Sequence, residues 1–221
     1  MESVALCWSG GKDSCLALRE LRRTPAVQVA ALVTTITRDF DRISMHGVRS
    51  VLLERQAASL GLPLHSVHIS KGAGNPEYET EMGKTFDALH DRGIASVAFG
   101  DLFLQDVRAW RQRLLARHDM AGRYPIWGRD TAELIMEFIA DGFRTIVVCV
   151  DPAQLDPSFA GRVIDEQFLA DLPAGVDPCG ENGEFHTFVF DGPMFGRAIR
   201  FSRGETVWRD GFWFCDLLPE D

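Results

Sequence analysis

No two cysteines of this chain stand at CxxC spacing. The five present, Cys7, Cys15, Cys149, Cys179 and Cys215, are odd in number and widely scattered. That pattern excludes a disulfide framework and a structural zinc site, and the thiols read as buried or incidental. Long apolar runs are also lacking, and nothing approaches the roughly 18 residues of a membrane helix. Glu2 and the short apolar run Val4–Trp8 do not make a secretory h-region, so a cytoplasmic protein is expected. Positive charge is scarce: 23 Lys and Arg stand against 32 Asp and Glu, a formal net charge of -9. Such an acidic surface repels phosphodiester backbones and disfavours a large nucleic-acid footprint. The cluster Arg108, Arg111, Arg113 and Arg117 is the candidate exception, although a solvated helix face is the plainer reading. Repeats, low-complexity tracts and Pro/Gly/Ser-rich linkers are all missing.

With 46% hydrophobic residues over 221 positions, the chain can bury one large domain, or a standard domain with a smaller companion. The first half alternates apolar β-branched runs with helical patterns. Strands are expected over 4–8, 27–35, 64–69 and 95–99, with helices over 14–23, 48–60, 82–93 and 104–115 between or after them. Gly61 and Pro63 stop the second helix. Alternation of this kind predicts an α/β fold, a parallel sheet with helices on both faces. Beyond Gly128 the pattern changes. Asp130 and Glu133 bracket a helix start like a capping box, and strands are expected over 145–150, 185–190 and 206–214. A smaller α+β domain over 129–221 is therefore expected behind a nucleotide-binding domain over 1–128.

The strand-to-helix turn Ser9-Gly10-Gly11-Lys12-Asp13-Ser14 carries the strongest chemical signal. It lacks both the GxxxxGK[ST] spacing of a Walker A loop and the GxGxxG fingerprint. Its setting is nonetheless that of an anion site. A helix opening at the carboxyl end of a parallel strand presents unpaired N–H groups and the positive end of its dipole. Gly10 and Gly11 let the backbone turn closely around a phosphate, Ser9 and Ser14 offer hydroxyls, and Lys12 adds a charge. Lys12 and Asp13 are expected to face solvent. Thr34 ends the second strand, His46 follows soon after, and Gly100 closes the fourth strand, all where nucleoside contacts are expected. Asp101 is a candidate Mg²⁺ ligand, since that ion needs only one or two carboxylates beside phosphates, and a helix N-cap is the competing reading.

The SGGKDS string resembles the pyrophosphate loop of the N-type ATP pyrophosphatases. The stretches GDLFLQDVRAW (100–110), PIWGRDTAEL (125–134), LDPSFAGRVID (155–165) and DPCGENGEFHTFVFDGPMF (177–195) narrow the likeness to the diphthine–ammonia ligase family, in order across nearly the whole chain. The resemblance implies an α/β ATP-binding domain joined to a smaller C-terminal domain. It also implies amide formation: a carboxylate attacks the α-phosphate of ATP, pyrophosphate leaves, and ammonia attacks the acyl-adenylate. Lys12, Asp13, Glu181 and Glu184 are then the candidate catalytic groups. Asn182, Gly183, His186 and Thr187 are the candidate substrate contacts. Where eukaryotic members read closer to EGGE-F-E-T, this chain has ENGEFHT, so Asn182 and His186 alter the charge offered to the acceptor. The reaction type thus carries over more strongly than the substrate.

Two other readings share the loop. A tRNA-thiolating pyrophosphatase needs a reactive cysteine, for which Cys179 in its turn is the best candidate, and a basic RNA surface. A nucleotide sensor that has lost catalysis would bind ATP without turnover. Aromatic residues in the last thirty positions suit an interface, such as that of a homodimer.

Overall fold

A computed structural model describes residues 1–220. In its first part the chain forms β1 (Glu2–Cys7), α1 (Lys12–Arg23), β2 (Val27–Thr37), β3 (Arg42–Ile43), α2 (Ser50–Leu60), β4 (Leu64–Ile69), α3 (Asn75–His90), β5 (Ser96–Ala98), α4 (Gln105–Ala116) and β6 (Ala121–Arg123). It continues with α5 (Thr131–Ala140), β7 (Arg144–Val150), α6 (Glu166–Asp171), β8 (Phe185–Asp191), β9 (Phe201–Arg209) and β10 (Phe212–Pro219). These elements fall into two compact units. One comprises residues 1–9, 13–42 and 62–128, and the other residues 10–12, 43–61 and 129–221.

In the first unit the sheet runs β3-β2-β1-β5-β6, with β4 paired to β2. The ladders joining β1, β2, β4, β5 and β6 are all parallel. Val4, Ala5 and Leu6 of β1 have no exposed surface, as expected of a strand covered on both faces. Met82, Phe86 and Leu89 of α3 and Leu114 and Leu115 of α4 pack onto Ala5, Val33, Val67 and Val97. That 3–4 spacing is what the periodicity predicted. α3 begins seven residues before Met82, at Asn75, because Pro76 suits a first helical turn that carries no apolar stripe. The short β6, Ala-Gly-Arg, has no apolar alternation to announce it and exists by pairing with β5.

The second unit is built on a four-stranded antiparallel sheet ordered β8-β7-β10-β9. Asp130 caps α5 through the Glu133 N–H at 2.9 Å, as its spacing foretold. The single strand expected over 206–214 is instead a hairpin. β9 and β10 pair antiparallel and reverse at Asp210-Gly211, both of positive φ (51° and 94°), the dipeptide and conformation that match the strand twist in a two-residue turn. Phe138 stacks on Phe143 with centroids 4.9 Å apart, and Phe168 and Phe185, both buried, meet edge to face. The parallel α/β layer and the smaller C-terminal antiparallel layer together bear out the expected fold class. Among the described residues no helix is long and apolar enough to cross a membrane.

Candidate nucleotide and acceptor site

The loop after β1 is held in part by bonds to residues far along the chain. Gly10 adopts φ 78°, and a Cβ there would sit 2.7 Å from Gln56 Oε1, so only glycine fits. Its carbonyl accepts from the Val189 N–H at 2.8 Å and from Gln56 Nε2 at 3.0 Å. The same Gln56 nitrogen donates to the Val189 carbonyl at 2.5 Å. Two residues on, the Lys12 N–H donates to Thr187 Oγ1 at 3.0 Å. Lys12 departs from the expectation of a solvent-facing loop: it is 1% exposed, with Nζ 5.3 Å from the Phe185 ring centroid. Its aliphatic stem is buried in the second unit and its charge lies over an aromatic face.

Within the first unit, Ser9 and Ser14 bring their hydroxyls to 3.3 Å, and Asp13 is half-buried in the first turn of α1. Gly100 stands against that same turn. A Cβ there would lie 2.7 Å from the Asp13 carbonyl carbon and 2.9 Å from the Ser14 nitrogen. Gly100 is thus where the end of β5 lets α1 begin. Thr34 is 3% exposed, and its buried hydroxyl has no hydrogen-bond partner among the described residues. A hydroxyl left so at the sheet is suited to a ligand's polar group. Asp101 meets Arg111, with Nε 2.8 Å from Oδ2 and Nη2 3.2 Å from Oδ1, and the guanidinium lies over Phe99 at 4.4 Å. Burial pushes the Cys7 thiol and the Tyr78 phenol each up to about 12, so both stay protonated beside this pair.

The C-terminal motif folds around two carboxylates, one of which the sequence reading gave no role. Asp177 Oδ1 accepts from the N–H groups of Cys179 (2.9 Å) and Glu181 (3.2 Å), while Oδ2 accepts from the Thr131 hydroxyl (2.7 Å). An Asp opening a Pro-Cys-Gly stretch is an Asx-turn signal, and that signal could have found it. Glu184, 2% exposed, accepts on Oε1 from the Asp177 N–H (2.9 Å) and from Asn182 Nδ2 (3.0 Å), leaving its buried Oε2 without a hydrogen-bond partner. Glu181 is half-buried, Asn182 is exposed, and Gly183 turns with φ 88°.

His46 and His186 come together in this unit, ring centroids 4.7 Å apart. A carbonyl can only accept, so the 3.1 Å contact of His46 Nδ1 with the Thr187 oxygen places the proton on Nδ1. Burial drives the His46 pKa down to about 4. The Lys12 charge adds to this, and the Thr187 carbonyl opposes it. Burial, then His46 and Lys12, hold His186 well below the ordinary value. Both rings are therefore neutral near pH 7.

Three other features of the sequence are resolved. Cys179 is fully buried and its Sγ lies 3.4 Å from the Thr131 carbonyl oxygen. Three of the four clustered arginines on and just after α4 meet neighbours: Arg111 on Asp101, Arg117 on Glu79, and Arg108 over the rings of Tyr124 and Trp127. Among the described residues no group of three His, Cys, Asp or Glu side chains is arranged to hold a metal.

Comparison with known proteins agrees with this architecture. A family model described as the diphthamide synthase N-terminal domain matches residues 1–121, and one described as the diphthamide synthase C-terminal domain matches residues 130–218. The chain is 28% identical to the diphthine–ammonia ligase of Danio rerio, over 90% of this chain and 86% of that one. It is 24% identical to the enzyme of that name from Bos taurus and 26% to that from Mus musculus, each over 92% of this chain and 84% of the relative. The N-terminal match alone spans more than half of the 221 residues, and the chain belongs to the diphthamide synthase family.

Proposed function

We propose that the chain is an ATP-dependent ligase that adenylates a carboxylate, releases pyrophosphate, and amidates the activated acyl group with ammonia or an amine. The observation that carries this is the SGGKDS turn, held in one shape by Gln56, Val189 and Thr187 at the start of α1. Preorganised N–H groups at a helix start favour a polyphosphate without reorganisation on binding. Ser9 to Ser14 cradle the pyrophosphate portion, and Thr34, His46 and Gly100 serve the nucleoside side. Asp13 and Lys12 steer the reacting phosphate, and Glu181, Asn182, Gly183, His186 and Thr187 receive the acceptor. Residues 1–128 supply most of the nucleotide side and 129–221 the acceptor side.

In the first step a carboxylate oxygen attacks the α-phosphorus, and the bond to the bridging oxygen breaks as pyrophosphate leaves. In the second, ammonia attacks the acyl carbon and AMP departs with the former carboxylate oxygen. The proton shed by the nitrogen passes to a base, a role suited to Glu184 or Glu181. The names of the relatives identify diphthine and ammonia as what those proteins join, and the same class of acceptor is assigned here. Magnesium commonly accompanies ATP, but Asp101 already has both oxygens on Arg111. The donor set does not fit a resident metal, so no step is routed through one. A cytoplasmic setting suits a reaction drawing on ATP.

The buried Cys179 favours ligation over sulfur transfer. The test is to incubate the protein with MgATP, ammonium and a diphthine-bearing protein and to quantify AMP, pyrophosphate and amide. AMP formation that depends on the acceptor supports the reading. ADP as product, or ATP binding with no turnover on any carboxylate, overturns it.

A further inference from the structure

Away from the residues described above, the first unit carries a groove of about 370 Å³ along β4 and α3. β4 pairs with β2 and lies at an edge of the sheet. The bonds from the Leu32 N–H to the Pro63 carbonyl and from the Arg38 N–H to the Ile69 carbonyl set the phase of the ladder. In a parallel ladder alternate residues bond to the same neighbour, so positions 63, 65, 67 and 69 face β2. Leu64, Ser66 and His68 therefore turn their N–H and C=O groups outward. Arg38 Nη2 donates to the outward His68 carbonyl at 3.3 Å, as that phase requires.

The side chains over this edge are basic in a chain of net charge -9. Arg38, Lys84 and Arg92 line the groove with His65 and His68, and Glu81 is the one acidic residue of the lining, 2.7 Å from Lys84. Lys84, Ala88 and Arg92 follow at i, i+4 and i+8 along one face of α3 and just past its end. The small Ala88 leaves room between the two cations for a backbone. Arg92 Nη1 lies 3.1 Å from His65 Nε2, and burial followed by that charge lowers the His65 pKa, so the positive charge rests on the arginines and the lysine. The lining has no Phe, Tyr or Trp on which bases would stack, which disfavours single-stranded nucleic acid.

We propose that this groove binds an extended acidic peptide segment, which adds a strand to the outer edge of β4 and sets its carboxylates against Arg38, Lys84 and Arg92. Backbone pairing supplies the binding and the three cations select the sequence, as in strand addition generally. A partner protein that offers an acidic, unstructured segment is the occupant to which this geometry commits.

The experiment is fluorescence anisotropy of a labelled ten-residue peptide alternating Val and Glu, titrated with the full chain at two salt concentrations. Hydrogen exchange is followed in parallel. Saturable binding that weakens with salt and protects the outward amides of 64, 66 and 68 is expected. Combining Arg38→Glu, Lys84→Glu and Arg92→Glu should weaken binding at least about tenfold, the loss of a few screened charge contacts. Ser66→Pro removes one outward N–H at an edge where proline is tolerated, and should weaken binding without shifting the unfolding midpoint. Binding indifferent to both variants, or no binding at millimolar peptide, overturns the proposal. So does binding of inorganic polyphosphate or oligouridylate that needs the cations but ignores Ser66→Pro, since the groove would then be a polyanion site.

Discussion

Gln56 Nε2 donates at once to the Gly10 carbonyl, 46 residues before it, and to the Val189 carbonyl, 133 residues after it, tying the turn after β1 to β8. Gln56 has no exposed surface, so neither carbonyl can turn to water if the amide is removed. Gln56→Leu keeps the volume and loses both bonds. It should destabilise the protein by about 2 kcal/mol, the cost of leaving a buried acceptor unpaired. If the loop positions ATP, the KM for ATP should rise about tenfold, corresponding to roughly 1.4 kcal/mol of lost positioning. Denaturant titration and pyrophosphate release measure the two effects. Lower stability with an unchanged KM would reduce Gln56 to a packing residue.

Gly100→Ala is the corresponding change in the first unit. Its new methyl would meet the backbone of Asp13 and Ser14, which cannot rotate aside as a side chain can. An overpacking cost of about 1–3 kcal/mol is expected, together with impaired ATP use. Calorimetry and ATP KM check this. A variant as stable and as active as the parent would mean that the start of α1 shifts freely.

Glu184→Gln separates the turn-holding role of Glu184 from its charge. The retained carbonyl oxygen can still accept from the Asp177 N–H and Asn182, while the oxygen without a partner becomes an amide. The proposed base role predicts an ATP KM within about twofold of the parent and amide formation reduced by 10² or more. Loss of ATP binding as well would assign Glu184 to folding of the turn.

The histidine pair sets a pH dependence. A group whose folded pKa is depressed below its unfolded value of 6.5 takes up its proton first in the unfolded chain. Stability is thus full above pH 6.5 and falls as the pH drops toward 4. The loss for His46 is about 3 kcal/mol, and His186 adds to it in the same direction. Unfolding midpoints from pH 4 to 7.5 should rise with pH. His46→Gln, which can still donate to the Thr187 carbonyl, should flatten the curve. Equal slopes in parent and variant would locate the dependence elsewhere.

The parallel layer was legible because its strands and helices announce themselves by local periodicity. Leu64–Ile69 was placed to the residue, and Gly61 ends α2 in the left-handed region as a terminating glycine does. Features that depend on partners far along the chain were not legible. Gln56 falls on the buried stripe of α2 with Leu52, Leu53 and Leu60, and an amide among leucines marks an interior bond without naming the other end. Lys12 reads as a solvated charge until Phe185 is seen beneath its ammonium group. The hairpin at Asp210-Gly211 did carry a local signal, the Asp-Gly dipeptide, which the aromatic continuity from Val207 to Phe214 concealed. The arginines of α4 illustrate the reverse, a cluster in sequence that the fold distributes among separate neighbours.

The Lys12 N–H and its acceptor Thr187 are separated by 175 positions. In synthesis the turn that opens α1 and Gln56 of α2 are made well before the turn's other two holding partners, Thr187 and Val189 of β8. A nascent chain halted before β8 would own every residue of SGGKDS, and Gln56 as well, but lack Thr187 and Val189, the rest of the clasp. The final shape of the turn would then arrive late in synthesis, with the strand that completes it.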